Sequence, residues 1–150
     1  MQQATQRKNR IWHIVLPVML ALTTLLIWSF SLTPAKASSE QSGFVRELLL
    51  WLLGNGAFAE AFLTLIPVRK LAHFTEYFVL GAEWKLYSRI AEKKRIWLCG
   101  LLTAVIDECL QFFSPGRAPA VKDVLIDTAG FLCGCLLIWA VFTLCRKRKK

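Results

Sequence analysis

Apolar residues run almost unbroken from Ile11 to Leu32, long enough at ~1.5 Å per residue to cross the ~30 Å hydrocarbon core of a bilayer. The segment from Thr33 to Ser39 ends that run. A second apolar stretch, Phe44 to Val68, is interrupted by Gly54, Asn55 and Gly56 and carries Glu60 and Pro67. It fits two short interfacial or re-entrant helices better than one span. Three more segments follow, Leu71 to Tyr87, Ile96 to Phe113 and Val124 to Cys145, the first of them weakened by Glu83 and Lys85. The pattern predicts an all-α, polytopic membrane protein with about four transmembrane helices and an interfacial or re-entrant segment between the first and second.

Composition agrees, with 55% apolar residues and a mean hydropathy of +0.45, well above the soluble norm. The 150 residues, at ~20 per crossing, make one membrane domain over 1–150 and no separate soluble one. The net charge of +9 raises the question of nucleic acid. Its carriers, however, form short runs beside apolar segments, not a basic face interleaved with aromatics, so no nucleic-acid partner is expected. The runs are Arg7, Lys8 and Arg10; Lys93, Lys94 and Arg95; and the tail Arg146 to Lys150.

Lys and Arg accumulate in cytoplasmic loops. With four crossings and both termini in the cytoplasm, 13 of the 19 basic residues fall on the inner side. A fifth crossing through Phe44 to Val68 would put two basic clusters outside. Ala35-Lys36-Ala37 has the small-residue look of a signal-peptidase site, but the preceding run is long for a signal core and holds Trp28 and Phe30 near its outer end. An uncleaved first helix is preferred.

The polar residues inside the spans are not scattered. On a helical wheel Glu76, Tyr77, Leu80 and Glu83 lie within about 80° of His73. Gln111, Gly100 and Thr103 lie within about 40° of Asp107, flanked by Glu108. Asp123, Asp127, Gly130 and Gly134 lie within about 60° of one another, and Gly130 and Gly134 form a GxxxG pair. Ionisable groups at membrane depth are expensive unless they face a bundle interior or a watery cavity, so the three faces are expected to pack together through Gly100, Gly130 and Gly134. In the four-span topology these groups all lie toward the outer side, with Asp107 ~9 Å below Phe113 and the loop Ser114 to Lys122 carrying Arg117 above them. The expected pocket comprises His73, Glu76, Tyr77, Asp107, Glu108, Gln111, Arg117, Asp123 and Asp127.

No metal or cofactor is expected, because only His73 offers a nitrogen ligand near the carboxylates; His13 lies toward the cytoplasmic end of the first span. The cysteines Cys99, Cys109, Cys133, Cys135 and Cys145 form no CxxC pair and read as small packing residues, Cys145 beside the basic tail being a candidate acylation site. Trp12, Trp28, Trp97 and Trp139 read as interface anchors or lipid-facing bulk.

The ordered set Lys70-x-x-His73-Phe74-x-Glu76-Tyr77-x-x-Leu80-Gly81, then Asp107-Glu108-x-x-Gln111, Pro115-Gly116-Arg117, Asp123 and Asp127-Thr128-x-Gly130 resembles the VanZ-like family of bacterial membrane proteins over residues 70–135. Ser38 to Ser42 is similar to that family's serine-rich outer segment. The resemblance implies a plasma-membrane protein linked to low-level resistance to teicoplanin, a lipoglycopeptide. Many relatives carry Asn at the position of Asp127, which points to a structural acceptor there more than to a catalytic acid.

Three functional readings follow. The first is a non-enzymatic envelope protein that engages membrane lipids and a lipoglycopeptide or lipid-linked cell-wall ligand, with Arg117 suiting an anionic headgroup. The second is a membrane-embedded hydrolase or transferase using Glu76, Asp107 or Glu108 as general base beside His73. The third is helix stapling, through His73–Glu76 and Asp107/Glu108–Arg117 pairs.

Overall fold

The computed structural model describes residues 2–91 and 96–148, with side chains from residue 11 onward. The basic cluster Lys93 to Arg95 and the last two lysines lie outside the described residues. Six helices follow one another: α1 (Gln2–Ser31), α2 (Ala35–Leu52), α3 (Ala57–Leu65), α4 (Val68–Ile90), α5 (Ile96–Gln111) and α6 (Val121–Lys147). No strand occurs among the described residues.

Two of these helices, α1 from Ile11 to Ser31 and α6, are long and apolar enough to cross a membrane. The other two expected spans fall short of that measure for different reasons. Helix α4 has the length but carries Arg69, Lys70, Glu76, Glu83, Lys85 and Arg89, whereas α5 is apolar but only 16 residues long. It ends at Gln111, two residues before the Phe113 expected from hydropathy.

The interrupted second stretch forms two helices, the first starting at Ala35 instead of Phe44. The break between them is a Schellman turn. Gly54 at φ 85° and Asn55 at φ 50° take the left-handed conformation, with Gly54 N–H donating to the Trp51 carbonyl and Asn55 N–H to that of Leu50. Glycine meets the first of these angles at no steric cost. An Arg46–Glu60 ion pair and the packing of Leu50 on Ala59 and Leu63 close α3 back on α2.

The core lies between α1, α4, α5 and α6, where Leu20, Ile27, Tyr77, Leu80, Ala104 and Phe131 meet. Trp28 packs against this cluster with its indole nitrogen buried, a correction to its expected place at an interface or in lipid. Its ring sits on the inward face of α1 with Ile27. Trp12, Trp97 and Trp139 are exposed.

Helices α4 and α6 approach closest. A Cβ added to Gly134 would stand 2.0 Å from the Phe78 carbonyl oxygen, one on Gly130 2.4 Å from that of Phe74, and one on Gly81 2.0 Å from that of Phe131. Gly100 of α5 makes room in the same way for the Phe131 ring. The Cys135 thiol donates to the Gly81 carbonyl at 3.2 Å, a further sign that these two backbones nearly touch.

This contact gives opposite expectations for two glycines. Gly134→Ala overpacks the interface and should cost about 1–3 kcal/mol. Gly43→Ala, in α2 with open space around it, should stabilise by roughly 0.5–1 kcal/mol. Thermal unfolding of the two variants in detergent should therefore shift in opposite directions relative to the wild type.

Candidate functional site

The polar residues of the bundle gather at one end, where the C-termini of α1 and α5 meet the N-termini of α4 and α6. Two hydrogen bonds to backbone carbonyls fix the meeting. The Ser114 hydroxyl donates to the Thr33 carbonyl at 2.8 Å, and Ala35 N–H donates to the Pro115 carbonyl at 3.0 Å. The α5–α6 loop is thereby tied to the α1–α2 junction. Gly116, at φ 75°, brings that loop against Ala35.

Beneath the loop a chain of hydrogen bonds links three helices. Arg69 of α4 donates to Gln111 Oε1 at 3.1 Å, Gln111 Nε2 donates to Glu108 Oε1 at 2.6 Å, and Glu108 Oε2 accepts from Ala120 N–H at 2.8 Å. Ala120 precedes α6, and its methyl side chain has no acceptor with which to cap it. Glu108 thus fastens the start of α6 to the end of α5.

Deeper still, His73 points Nδ1 at two carboxylates. It lies 3.6 Å from Asp127 Oδ1 and 3.9 Å from Asp107 Oδ2. Asp107, Asp127 and Tyr77 are fully buried. Neither aspartate has a hydrogen-bond partner on either oxygen, and the Tyr77 hydroxyl and His73 Nδ1 have none either.

Above this group opens a cavity of about 210 Å³ lined by Arg69, His73, Glu76 and Arg117, with Ser38, Gln41 and Ser42 from α2 and apolar walls from Phe30, Val45 and Val68. Arg117 Nε is buried without a partner. Partial burial, and then the neighbouring Arg69 charge, push the Arg117 pKa down. An anion between the two guanidinium groups would relieve both penalties.

The nine expected residues therefore divide. His73, Tyr77, Asp107 and Asp127 form a buried floor beneath the cavity, of which His73 alone lines it; Glu76 and Arg117 also line the cavity, and Glu108 and Gln111 belong to the clamp. Asp123 sits half-buried in the first turn of α6. Two expected pairings differ. His73 faces Asp107 and Asp127 instead of Glu76, because the α4–α6 contact carries it toward α6. Arg117 forms no ion pair with Asp107 or Glu108 among the described residues: both Glu108 oxygens are taken by Gln111 and Ala120, and Asp107 turns toward His73.

Two contributors were not singled out from the sequence. Arg69 stands one helical turn before His73, about 40° away on the wheel, so the same face analysis could have found it; Lys70, the motif residue, is exposed. Ser31, the last residue of α1, is fully buried, and nothing in its sequence context marked it.

The arrangement defines an all-helical protein with membrane-grade helices and ionisable groups buried at one end of the bundle. A family model described as VanZ/LLP1 matches residues 15–143, and the chain belongs to this family. Comparison with curated proteins and with solved structures gives no match.

The clamp yields a graded expectation. Glu108→Ala removes both acceptors and leaves Gln111 and Ala120 N–H unpaired, at about 1–3 kcal/mol for each buried group stranded. Glu108→Gln keeps one carbonyl oxygen and should lose roughly half as much. Unfolding midpoints in the order wild type, Gln, Ala would establish the clamp; equal midpoints would remove it.

Proposed function

We propose that the chain is a bacterial plasma-membrane protein with four crossings, α1, α4, α5 and α6, and both termini in the cytoplasm. Its outward-facing cavity holds the anionic headgroup of an envelope amphiphile. By that non-enzymatic route it contributes to low-level resistance to teicoplanin-type glycopeptides or to envelope homeostasis. The carrying observation is the pair Arg69 and Arg117 at one cavity, the second with an unpartnered buried Nε. Two guanidinium groups bind a phosphate or carboxylate through charge-assisted hydrogen bonds.

The distribution of exposure supports the membrane placement. Leu22, Leu125 and Leu136 are 60% or more exposed, while Asp107, Gln111 and Asp127 are at 0%. A surface this apolar around a polar interior matches lipid as solvent. A crossing by α4 is supported by the burial of His73 and Glu83 in the bundle, where Glu83 accepts a hydrogen bond from Thr23 at 3.0 Å. Near the other end of α4, Arg89 lies over the Phe142 ring at 4.0 Å. Retention of α1 is supported by Leu20, Ile27 and Ser31, which the core and the site would lose on cleavage.

A second reading, a hydrolase or transferase acting on an envelope lipid or lipid-linked substrate, is favoured by one observation. His73 and two carboxylates stand below a pair of arginines, which is the layout of proton transfer beside an anion clamp. Headgroup release from labelled envelope lipids in proteoliposomes, lost in His73→Gln, would replace the non-enzymatic reading with this one.

Topology is tested with single cysteines in a background lacking the native five. Lys122→Cys should label from outside with an impermeant thiol reagent, and Arg148→Cys only after permeabilisation. The reverse pattern would place the cavity in the cytoplasm.

Substrate class is tested by susceptibility. A lipoglycopeptide's acyl chain anchors it by ~0.8 kcal/mol per buried methylene, which concentrates it in the outer leaflet. Expression should protect modestly against teicoplanin-like compounds and less against unacylated vancomycin-like ones. An Arg69→Ala/Arg117→Ala variant of normal abundance should lose the difference. Equal protection against both compounds would point to a protein partner in wall synthesis.

A further inference from the structure

The cavity's floor has a chemistry of its own. One imidazole nitrogen and an oxygen from each of two carboxylates lie within 4.8 Å of one another. Each belongs to a different helix: His73 to α4, Asp107 to α5 and Asp127 to α6. The His73 side chain is 10% exposed and both aspartate side chains 0%, and all four aspartate oxygens and His73 Nδ1 lack hydrogen-bond partners.

Buried polar groups are normally paired, and a buried charge without compensation is costly. Protonating the carboxylates would remove the charge, but the imidazole nitrogen they would donate to stands beyond hydrogen-bonding length as the side chains lie. The separations argue the same way. At 3.6 and 3.9 Å they exceed hydrogen-bonding length. Yet atoms bound to one ion at ~2.0–2.2 Å stand roughly 3–3.6 Å apart at tetrahedral to octahedral angles, so a small inward movement completes a shared coordination shell.

We propose that His73, Asp107 and Asp127 bind one divalent transition-metal ion, of the Zn²⁺ or Mn²⁺ class. A neutral imidazole, two carboxylates and a doubly charged cation sum to zero, the state a low-dielectric interior favours. The imidazole selects against Ca²⁺ and Mg²⁺, which prefer all-oxygen shells. His73 also lines the cavity above, so a fourth position faces that space, as in sites with three protein ligands and one exchangeable one. The assignment reverses the expectation that a single histidine is too little. It stands independently of the headgroup reading, which rests on Arg69 and Arg117.

The test uses the full chain in detergent, stripped with chelator and titrated with Zn²⁺, Mn²⁺, Co²⁺, Mg²⁺ and Ca²⁺. Elemental analysis after desalting should give about one Zn²⁺ or Mn²⁺ per chain, with a saturable rise of several degrees in unfolding temperature, because an ion binding only the folded state stabilises it. Bound Co²⁺ should show weak d–d bands without the thiolate charge-transfer absorption that binding at the five cysteines would produce. His73→Gln and Asp107→Asn should lower affinity at least tenfold. Asp127→Asn, which likewise keeps a carbonyl ligand but loses the charge, should weaken binding comparably. Glu83→Gln, a buried carboxyl on α4 outside the cluster, should bind as the wild type does. Absence of a stoichiometric ion in the wild type, a thiolate spectrum, or unchanged affinity in His73→Gln would overturn the proposal. The wild-type titration and spectrum decide it even if a variant fails to fold.

Discussion

The close approach of α4 and α6 governs the end of the bundle where the ionisable groups gather. Three glycines, Gly81, Gly130 and Gly134, let the two backbones come within the space a single methyl would fill. In lipid, where apolar side chains gain little from leaving solvent, such contact is a main source of helix association. It also sets register. Phe74, whose carbonyl meets Gly130, follows His73 directly, and Asp127 precedes Gly130 by less than one helical turn. The glycine contact therefore carries His73 to Asp127. A slip of one turn along α6 would separate them by ~5.4 Å and dismantle the floor.

The remaining helices complete what this pair begins. Helix α5 contributes Asp107 and is held by Glu108 and Gln111 to both α4 and the start of α6. Helix α1 closes the side with Ile27 and Ser31, and its exit is pinned to the α5–α6 loop through Thr33 and Ala35. The ties through Thr33, Ala35 and Ala120 use backbone groups that helix ends leave without an intrahelical partner, while Arg69, Gln111 and Glu108 join side chain to side chain. The end of the bundle that holds the ionisable groups is thus also the end with most cross-links, which resists the opening that buried carboxylates would otherwise favour.

Much of this was legible from periodicity. The apolar runs, the break at Gly54 to Gly56 and the three polar faces follow from residue type and the period of the helix, and Arg69 lay within reach of the same wheel. What periodicity could not convey was partner choice. His73 and Glu76 share a face of one helix, so a local pair looked natural, yet the partners of His73 come from α5 and α6. Arg117 stood near Asp107 and Glu108 in outline, but the competition of Ala120 N–H and Gln111 for Glu108 is a three-dimensional fact. Trp28 and Ser31 were missed because residues near the end of an apolar run look alike whether they face lipid or core. The lengths of α4 and α5 show the remaining gap: hydropathy marks where a chain tolerates lipid, not where its helices end.

Separation of charge sets this end of the molecule apart from a simple helix staple. Had Arg69 and Arg117 paired with Asp107 and Asp127, the result would be a closed helix staple, neutral and with little left to offer. Instead the arginines stand at the cavity wall and the aspartates at its floor, with no ion pair between the two sets among the described residues. Desolvation penalises each layer for lacking a counter-charge, and a single species cannot satisfy both. The upper layer calls for an anion and the lower for a cation. An occupied floor would also remove negative charge from beneath the cavity and so strengthen its hold on an anion above. That influence would pass between the layers through space, at the ~20 effective dielectric typical of protein sites.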